Sequence, residues 1–261
     1  MKRDFKFSSV LILQLIMIVL IFIISKLLAT SPTEIEDMTS SFKGMLSSFL
    51  TFMIMAVFQF MIAHGLIYNR MGTAGEYMDG ISYLNIKILG VLFLIEIIPA
   101  ILLFLLVYGI ASTIPADFVV INSSFDTILP IAGLGLLILI GWTIYGAFVH
   151  YRFLLAADRK DLSFASLFKG TFKLGKDLFG KTIKSYLKRL ILPIILFIAL
   201  EVLLVTYAIG TLGILFLIIL PIIFVVYICI AIILVLAELS DYYLDYKNNH
   251  LETHERIAYE S

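Results

Sequence analysis

The chain has 261 residues, of which 61% are hydrophobic and only 15% are charged, and its 19 basic side chains balance its 19 acidic ones. Soluble domains carry about 25% charged residues, so this composition excludes a soluble protein and leaves no room for a sizeable soluble domain. It predicts an all-α, polytopic membrane protein.

Six apolar stretches are long enough to cross a hydrocarbon core about 30 Å thick. They lie at about residues 9–29, 46–69, 84–112, 126–156, 189–209 and 211–239. The first is longer than a signal-peptide core, so we expect it to be retained. Gly210 and Gly213 permit a sharp turn, which predicts that the last two spans form a tight antiparallel hairpin. We predict a single transmembrane domain over residues 1–240 and a polar cytoplasmic tail at 241–261.

Basic residues decide the predicted orientation, because positively charged loops are retained on the cytoplasmic side. Lys2, Arg3 and Lys6 precede the first span, and the segment between the fourth and fifth spans is strongly basic. The loops after the first and third spans are acidic overall. Both termini are therefore expected in the cytoplasm. The excess of lysine over arginine is typical of an AT-rich bacterial genome, so we predict a bacterial plasma membrane.

The segment LFKGTFKLGKDLFGKTIKSYLKRL, residues 167–190, contains seven basic residues and one acid, Asp177. Its apolar residues recur at steps of three or four, which predicts a cytoplasmic, interfacial amphipathic helix over 163–188. A break is expected near Gly180, because glycine weakens helices. The predicted apolar face consists of Phe168, Phe172, Gly175, Phe179, Ile183, Tyr186 and Leu190, and the opposite face carries Lys169, Lys173, Lys176, Lys181, Lys184 and Lys188.

Two interpretations of these lysines remain open. The helix either rests on anionic lipid headgroups and only orients the protein, or it forms a docking surface for a membrane-protein partner or a specific anionic lipid. The periodicity does not separate these two interpretations.

Polar residues within the predicted spans are candidates for function, because an ionised group at mid-membrane costs at least about 2.5–3.5 kcal/mol. Glu96 and Glu201 lie at similar predicted depths, so we expect that they can approach one another and form a proton-handling pair. Gln59 and His64 of the second span can donate hydrogen bonds across helices. The alternative is that all four residues only fix helix packing.

Several classes of site find no support in the sequence. It contains no P-loop, nucleophile elbow or HExxH motif, so we predict that the protein is not an enzyme and needs no cofactor. No Cys/His cluster has metal-ligand spacing, and Cys229 is the single cysteine. The one basic segment is expected against the membrane, which disfavours nucleic-acid binding.

A long span that ends in Tyr151, Ala156, Ala157 and Asp158, followed by a short amphipathic segment with glycines and basic residues, resembles a group of bacterial six-helix proteins. The group includes YciC-like proteins and the membrane domain attached to some glycerophosphodiester phosphodiesterases. The resemblance covers about a third of the chain and implies a six-helix architecture. It implies no catalytic residue, since this chain contains no phosphodiesterase domain.

The leading hypothesis is an integral membrane accessory or assembly factor for an envelope or export complex, which acts through a protein partner. The alternative is a small proton- or cation-coupled transporter that uses Glu96 and Glu201. A lipid-modifying intramembrane enzyme is disfavoured, because no nucleophile and base can be placed together.

Overall fold

The structure is a computed structural model, and it describes residues 3–28, 38–111, 135, 138, 140–207 and 211–259. These residues are almost entirely helical and contain no strand, which confirms the predicted all-α class. In chain order the elements are α1 (Phe7–Leu27), α2 (Met38–Tyr68), α3 (Ala74–Met78), a 3₁₀ turn (Asp79–Tyr83), α4 (Ile86–Ala111), α5 (140–149), α6 (Arg152–Asp158), α7 (Phe164–Tyr186), a π-helical turn (Leu187–Ile191), α8 (Leu192–Tyr207) and α9 (Thr211–Tyr259).

Four of the described helices are long and apolar enough to cross a membrane: Phe7–Leu27, Phe42–Tyr68, Ile86–Leu103 and Ile219–Asn249. The predicted six spans are not confirmed. Residues 126–134, 136, 137 and 139 of the predicted fourth span, 126–156, lie outside the described part of the chain, and its described end forms α5 and the start of α6. The predicted fifth span corresponds to α8, which has 16 described residues.

The chain divides into two compact units, and the single transmembrane domain over 1–240 stays a prediction. The first unit comprises Met1–Leu84 and Asp177–Ser261, and the second comprises Asn85–Lys176. The predicted boundary at residue 240 does not coincide with the end of a helix, because α9 continues from Thr211 to Tyr259.

The core of the first unit forms where α1 packs against α2. Val10 and Leu13 of α1 are fully buried with Met61 and Ile62 of α2. The three-residue spacing of Val10 and Leu13 places both on one face of α1, and packing stabilises each buried side chain by about 1.5–3 kcal/mol.

Tyr77 closes this core from the segment that joins α2 to α4. A capping box starts α3, because the Thr73 side chain accepts from the Glu76 backbone and the Glu76 carboxylate accepts from the Thr73 backbone. This short helix inserts the Tyr77 ring against Gly65, where a Cβ would lie 2.3 Å from the ring. Burial raises the pKa of Tyr77 to about 12.

The predicted hairpin of the last two spans is supported by the packing of α8 against α9. The rings of Phe197 and Phe224 stack with centroids 3.9 Å apart, and further along the Tyr227 hydroxyl donates to the Arg189 carbonyl at 3.1 Å. The two helices therefore run antiparallel. The residues of the turn, 208–210, lie outside the described part of the chain.

Candidate functional site

The N-terminal segment and the segment after α2 meet at one end of the first unit. The Lys6 backbone N–H donates to the Arg70 carbonyl at 2.8 Å, and the Ser9 hydroxyl donates to the Gly72 carbonyl at 2.7 Å. The Tyr77 hydroxyl donates to the same Arg70 carbonyl at 2.9 Å. These bonds satisfy backbone groups that the end of α2 leaves free.

Arg70 connects this end to α9. Its Nη2 lies 2.8 Å from Asp241 Oδ1, and its Nη1 donates to the Ser240 hydroxyl at 2.8 Å and to the Leu66 carbonyl at 3.1 Å. In the described part of the chain no donor meets Asp241 Oδ1 at hydrogen-bonding angles, so its contact with Arg70 is a charge–charge contact rather than a directed hydrogen bond. Both side chains are buried, at 11% and 8% exposure. Burial lowers the pKa of Arg70, and the charge of Asp241 opposes that effect.

A second arginine extends the contact toward the tail. The Arg3 backbone N–H donates to Asp241 Oδ2 at 3.3 Å, and its Nη2 lies 2.9 Å from Asp245 Oδ1. Asp241 and Asp245 lie four residues apart and therefore on one face of α9. The N-terminal segment is thus held against the polar end of this helix.

A third arginine reaches α9 from the π-helical turn. Arg189 Nε donates to Glu238 Oε2 at 2.6 Å, and the Ser185 hydroxyl donates to the same oxygen at 3.0 Å. The Tyr242 hydroxyl donates to Glu238 Oε1 at 2.7 Å. Glu238 therefore accepts three hydrogen bonds, and it fixes the junction between α7 and α8 on α9.

These residues form an arginine–carboxylate cluster, defined as Arg3, Arg70, Arg189, Glu238, Asp241 and Asp245. A cavity of about 180 Å³ lies beside it, with Phe5, Leu234 and Ala237 on its apolar side. Three cations balance three carboxylates, so the cluster offers no net charge to a ligand. Its ion pairs hold distant parts of the chain together.

The sequence analysis did not identify this cluster. It assigned no role to Arg70 and placed Asp241 and Asp245 in a polar cytoplasmic tail. The signal that was missed is the spacing of Glu238, Asp241 and Asp245, which places three acids on one helix face at the end of an apolar run.

In the second unit, Glu96 of α4 forms an ion pair with Arg152 of α6. The Tyr145 hydroxyl donates a hydrogen bond to the backbone carbonyl of Ile95, the residue that precedes Glu96. Arg152 thus supplies the charge partner that Glu96 needs at this depth. Glu201 belongs to the first unit, and its predicted approach to Glu96 stays a prediction.

The other predicted polar residues occupy separate positions in the first unit. Gln59 Nε2 lies 4.0 Å from Met17 Sδ, which is a weak contact between α2 and α1. The His64 ring stacks on Tyr83 with centroids 4.9 Å apart, and a Cβ on Gly80 would lie 3.0 Å from His64. Glu201 Oε1 is buried and has no hydrogen-bond partner among the described residues.

The predicted amphipathic helix is confirmed as α7, but its predicted break near Gly180 is wrong, because the helix continues to Tyr186. Its most buried stripe also differs from the predicted apolar face. The buried residues of α7 are Leu167, Thr171, Leu174, Gly175, Leu178, Thr182 and Ser185. Gly175 belongs to the predicted apolar face, whereas the predicted phenylalanines flank the buried stripe and are half-buried. The hydroxyls of Thr171 and Thr182 each donate a hydrogen bond to the backbone carbonyl four residues earlier. These bonds allow both polar side chains to lie in a buried stripe.

Five lysines of α7 and one of the π-helical turn are exposed, and they form what we call the lysine face: Lys169, Lys173, Lys176, Lys181, Lys184 and, in the turn, Lys188. Lys181 Nζ lies 5.7 Å from the centre of the Tyr242 ring. No member of the lysine face forms an ion pair with a described residue. In contrast to the arginine–carboxylate cluster, this face carries uncompensated positive charge.

The chain was compared with protein-family models, with curated proteins and with solved structures, and none of them matches it. The candidate sites are therefore interpreted from their own geometry. The described residues contain no group of three His, Cys, Asp or Glu side chains that could hold a metal ion.

Proposed function

We propose that this protein is a non-enzymatic membrane accessory or assembly factor, and that its lysine face binds an acidic surface of a membrane-protein partner. The observation that supports this most directly is the contrast between the two charged regions. Four of the described arginines, Arg3, Arg70, Arg152 and Arg189, are paired with carboxylates within the protein. The lysines of α7 are exposed and are not paired in this way.

The proposed orientation places the lysine face in the cytoplasm of a bacterial cell. Its support is that the N-terminal segment, the segment after α2, the π-helical turn and the polar part of α9 meet at one end of the first unit. Basic residues are concentrated in two of these segments, the N-terminal segment and the π-helical turn, and basic segments are retained on the cytoplasmic side.

The rigid mounting of α7 also supports a docking role. Its buried stripe and the bonds of Ser185 and Arg189 to Glu238 fix the helix along its length. A preordered helix loses little conformational entropy when it binds, so its charges contribute more fully to affinity.

Co-purification in mild detergent tests the proposal. The comparison uses the wild type, a triple Lys→Glu variant at Lys169, Lys173 and Lys176, and a triple Lys→Arg variant at the same positions. We expect a stoichiometric partner with the wild type and the arginine variant, and its loss with the glutamate variant at equal membrane abundance. Equal recovery with all three variants would exclude the lysine face as the docking surface.

One observation favours the second candidate function, a proton- or cation-coupled transporter. The buried Oε1 of Glu201 accepts no hydrogen bond from a described residue, and such a carboxylate in an apolar helix is a candidate for reversible protonation. Glu201→Gln in proteoliposomes tests this function through uptake driven by a pH gradient. Transport by the wild type that disappears in the Gln variant would favour a transporter over an accessory factor.

A further inference from the structure

The chain passes from the amphipathic helix α7 into the apolar helix α8 without a loop. The π-helical turn Leu187–Ile191 connects them, and a turn of this kind inserts an extra residue and changes which side chains face outward. This junction therefore lies where the polar part of the chain meets the part apolar enough to enter lipid.

An open groove follows the outer side of this junction. It is lined by Gly180, Ile183, Lys184, Leu187, Lys188 and Leu192. Leu187 and Leu192 are 46% and 55% exposed, although both are large and apolar. A Cβ at Gly180 would meet no atom within 4 Å, so the missing side chain leaves space at one end of the groove.

The charge of the groove is positive and uncompensated. Lys184 and Lys188 are one helical turn apart, both are exposed, and neither forms an ion pair in the described part of the chain. Among the described residues that line the groove, none is acidic. Arg189, the next residue, is paired with Glu238 and belongs to the arginine–carboxylate cluster.

We propose that this groove is a binding site for one anionic phospholipid. The phosphate accepts hydrogen bonds from the ammonium groups of Lys184 and Lys188, an acyl chain lies along Leu187 and Leu192, and the rest of the headgroup occupies the space beside Gly180. An apolar surface that is flanked by two cations at the membrane boundary matches both parts of such a lipid. The inference rests on the membrane placement in the proposed function but not on the protein partner.

The chain contains a matched control for this site. Lys169 and Lys173 have the same four-residue spacing, lie on the same helix and are equally exposed, but they do not line the groove. Double Lys→Gln variants at each pair therefore remove the same charge. Gly180→Leu is a third variant, which fills the groove and keeps all the lysines.

The test is binding of phosphatidylglycerol to the purified full-length protein in detergent, measured by native mass spectrometry. Phosphatidylcholine with the same acyl chains and free glycerol 3-phosphate serve as further probes. We expect Lys184→Gln/Lys188→Gln to weaken phosphatidylglycerol binding about tenfold or more, since each lysine contributes a factor of about five near an anionic phosphate. Lys169→Gln/Lys173→Gln is expected to change phosphatidylglycerol binding less than about twofold, because these lysines do not line the groove.

Gly180→Leu is expected to weaken phosphatidylglycerol binding although no charge is lost, and glycerol 3-phosphate is expected not to displace the lipid. Equal weakening by the two lysine pairs would overturn the proposal, because it would indicate general attraction to the interface. Equal binding of phosphatidylcholine would also overturn it. Unchanged lipid binding in Lys184→Gln/Lys188→Gln together with loss of a co-purified protein would assign the groove to a protein partner. Thermal unfolding without lipid confirms that each variant is folded.

Discussion

Arg70 and Asp241 form a buried ion pair, with Nη2 and Oδ1 2.8 Å apart, although one follows the second helix and the other lies in the last. Around this pair, Arg70 also bonds the carbonyl of Leu66 and the hydroxyl of Ser240. The pair therefore determines where α9 lies against the first two helices. The N-terminal segment is attached at the same place through Arg3.

The first prediction concerns the coupling between these two residues. We expect Arg70→Leu to lower the free energy of unfolding by about 3–5 kcal/mol, because it leaves the Asp241 carboxylate buried without its cation. Asp241→Leu is expected to cost somewhat less, since Arg70 keeps its bonds to Leu66 and Ser240. The double variant is expected to cost less than the sum of the two, with a coupling of about 0.5–3 kcal/mol.

Chemical unfolding in detergent measures this double-mutant cycle. Lys173→Leu, which removes an exposed cation from α7, serves as the control and is expected to change stability by less than about 0.5 kcal/mol. Additive effects of Arg70→Leu and Asp241→Leu would show that the two residues act independently.

The second prediction compares two glycines on α7. A Cβ at Gly175 would lie 1.8 Å from the Phe148 carbonyl oxygen, whereas a Cβ at Gly180 would meet nothing within 4 Å. Gly175→Ala is therefore expected to destabilise the protein by about 1–3 kcal/mol, because backbone atoms must shift. Gly180→Ala is expected to stabilise it by up to about 1 kcal/mol through helix propensity. Thermal unfolding separates the two, and an equal change in both variants would contradict the close approach at Gly175.

The third prediction concerns the ion pair in the second unit. Glu96→Gln is expected to leave membrane abundance near the wild-type level, because the amide oxygen can still accept a hydrogen bond from Arg152. Arg152→Met is expected to be more damaging, because it leaves a carboxylate without its charge partner. Immunoblots of membrane fractions and unfolding in detergent measure both effects. The reverse order would show that Arg152 is not the group that stabilises Glu96.

The fourth prediction follows from the orientation of α7. Leu178 is 2% exposed, whereas Phe179, on the face that the sequence predicted to be buried, is only half-buried. We expect Leu178→Glu to cost more than about 3 kcal/mol, because it buries an unpaired charge. Phe179→Glu is expected to lower the free energy of unfolding by less, and Lys181→Gln is expected to lower it least. Membrane abundance and thermal unfolding of the three variants test this order.

The fifth prediction concerns topology. Single cysteines at Ser41 and Ser123 are expected to react with a membrane-impermeant thiol reagent in intact cells, whereas cysteines at Met71 and Lys176 are expected to be protected until the cells are permeabilised. Cys229→Ser provides the background. Met71 is 63% exposed and lies beside the N-terminal contacts, so it reports on that end of the first unit. Labelling of position 176 in intact cells without labelling of position 41 would reverse the assignment.

The amphipathic helix α7 shows what a local sequence pattern predicts and what it does not. Its extent was predicted within two residues, because a basic helix with apolar residues at steps of three and four has a strong 3.6-residue period. The same pattern did not identify its most buried stripe. Threonine and serine are polar in a sequence, and only the structure shows Thr171, Thr182 and Ser185 with their hydroxyls bonded to helix carbonyls and to Glu238.

The sequence by itself determined the helical class, the apolar segments and the basic helix, because hydrophobic length and helical periodicity are properties of neighbouring residues. Only the tertiary structure decided which charges are paired. Glu96 pairs with Arg152, and Asp241 lies buried beside Arg70 at the start of the segment that was predicted to be a polar tail. Such pairs join residues that are distant in the chain, and their Coulomb energy depends on a separation and a burial that arise only when the helices pack.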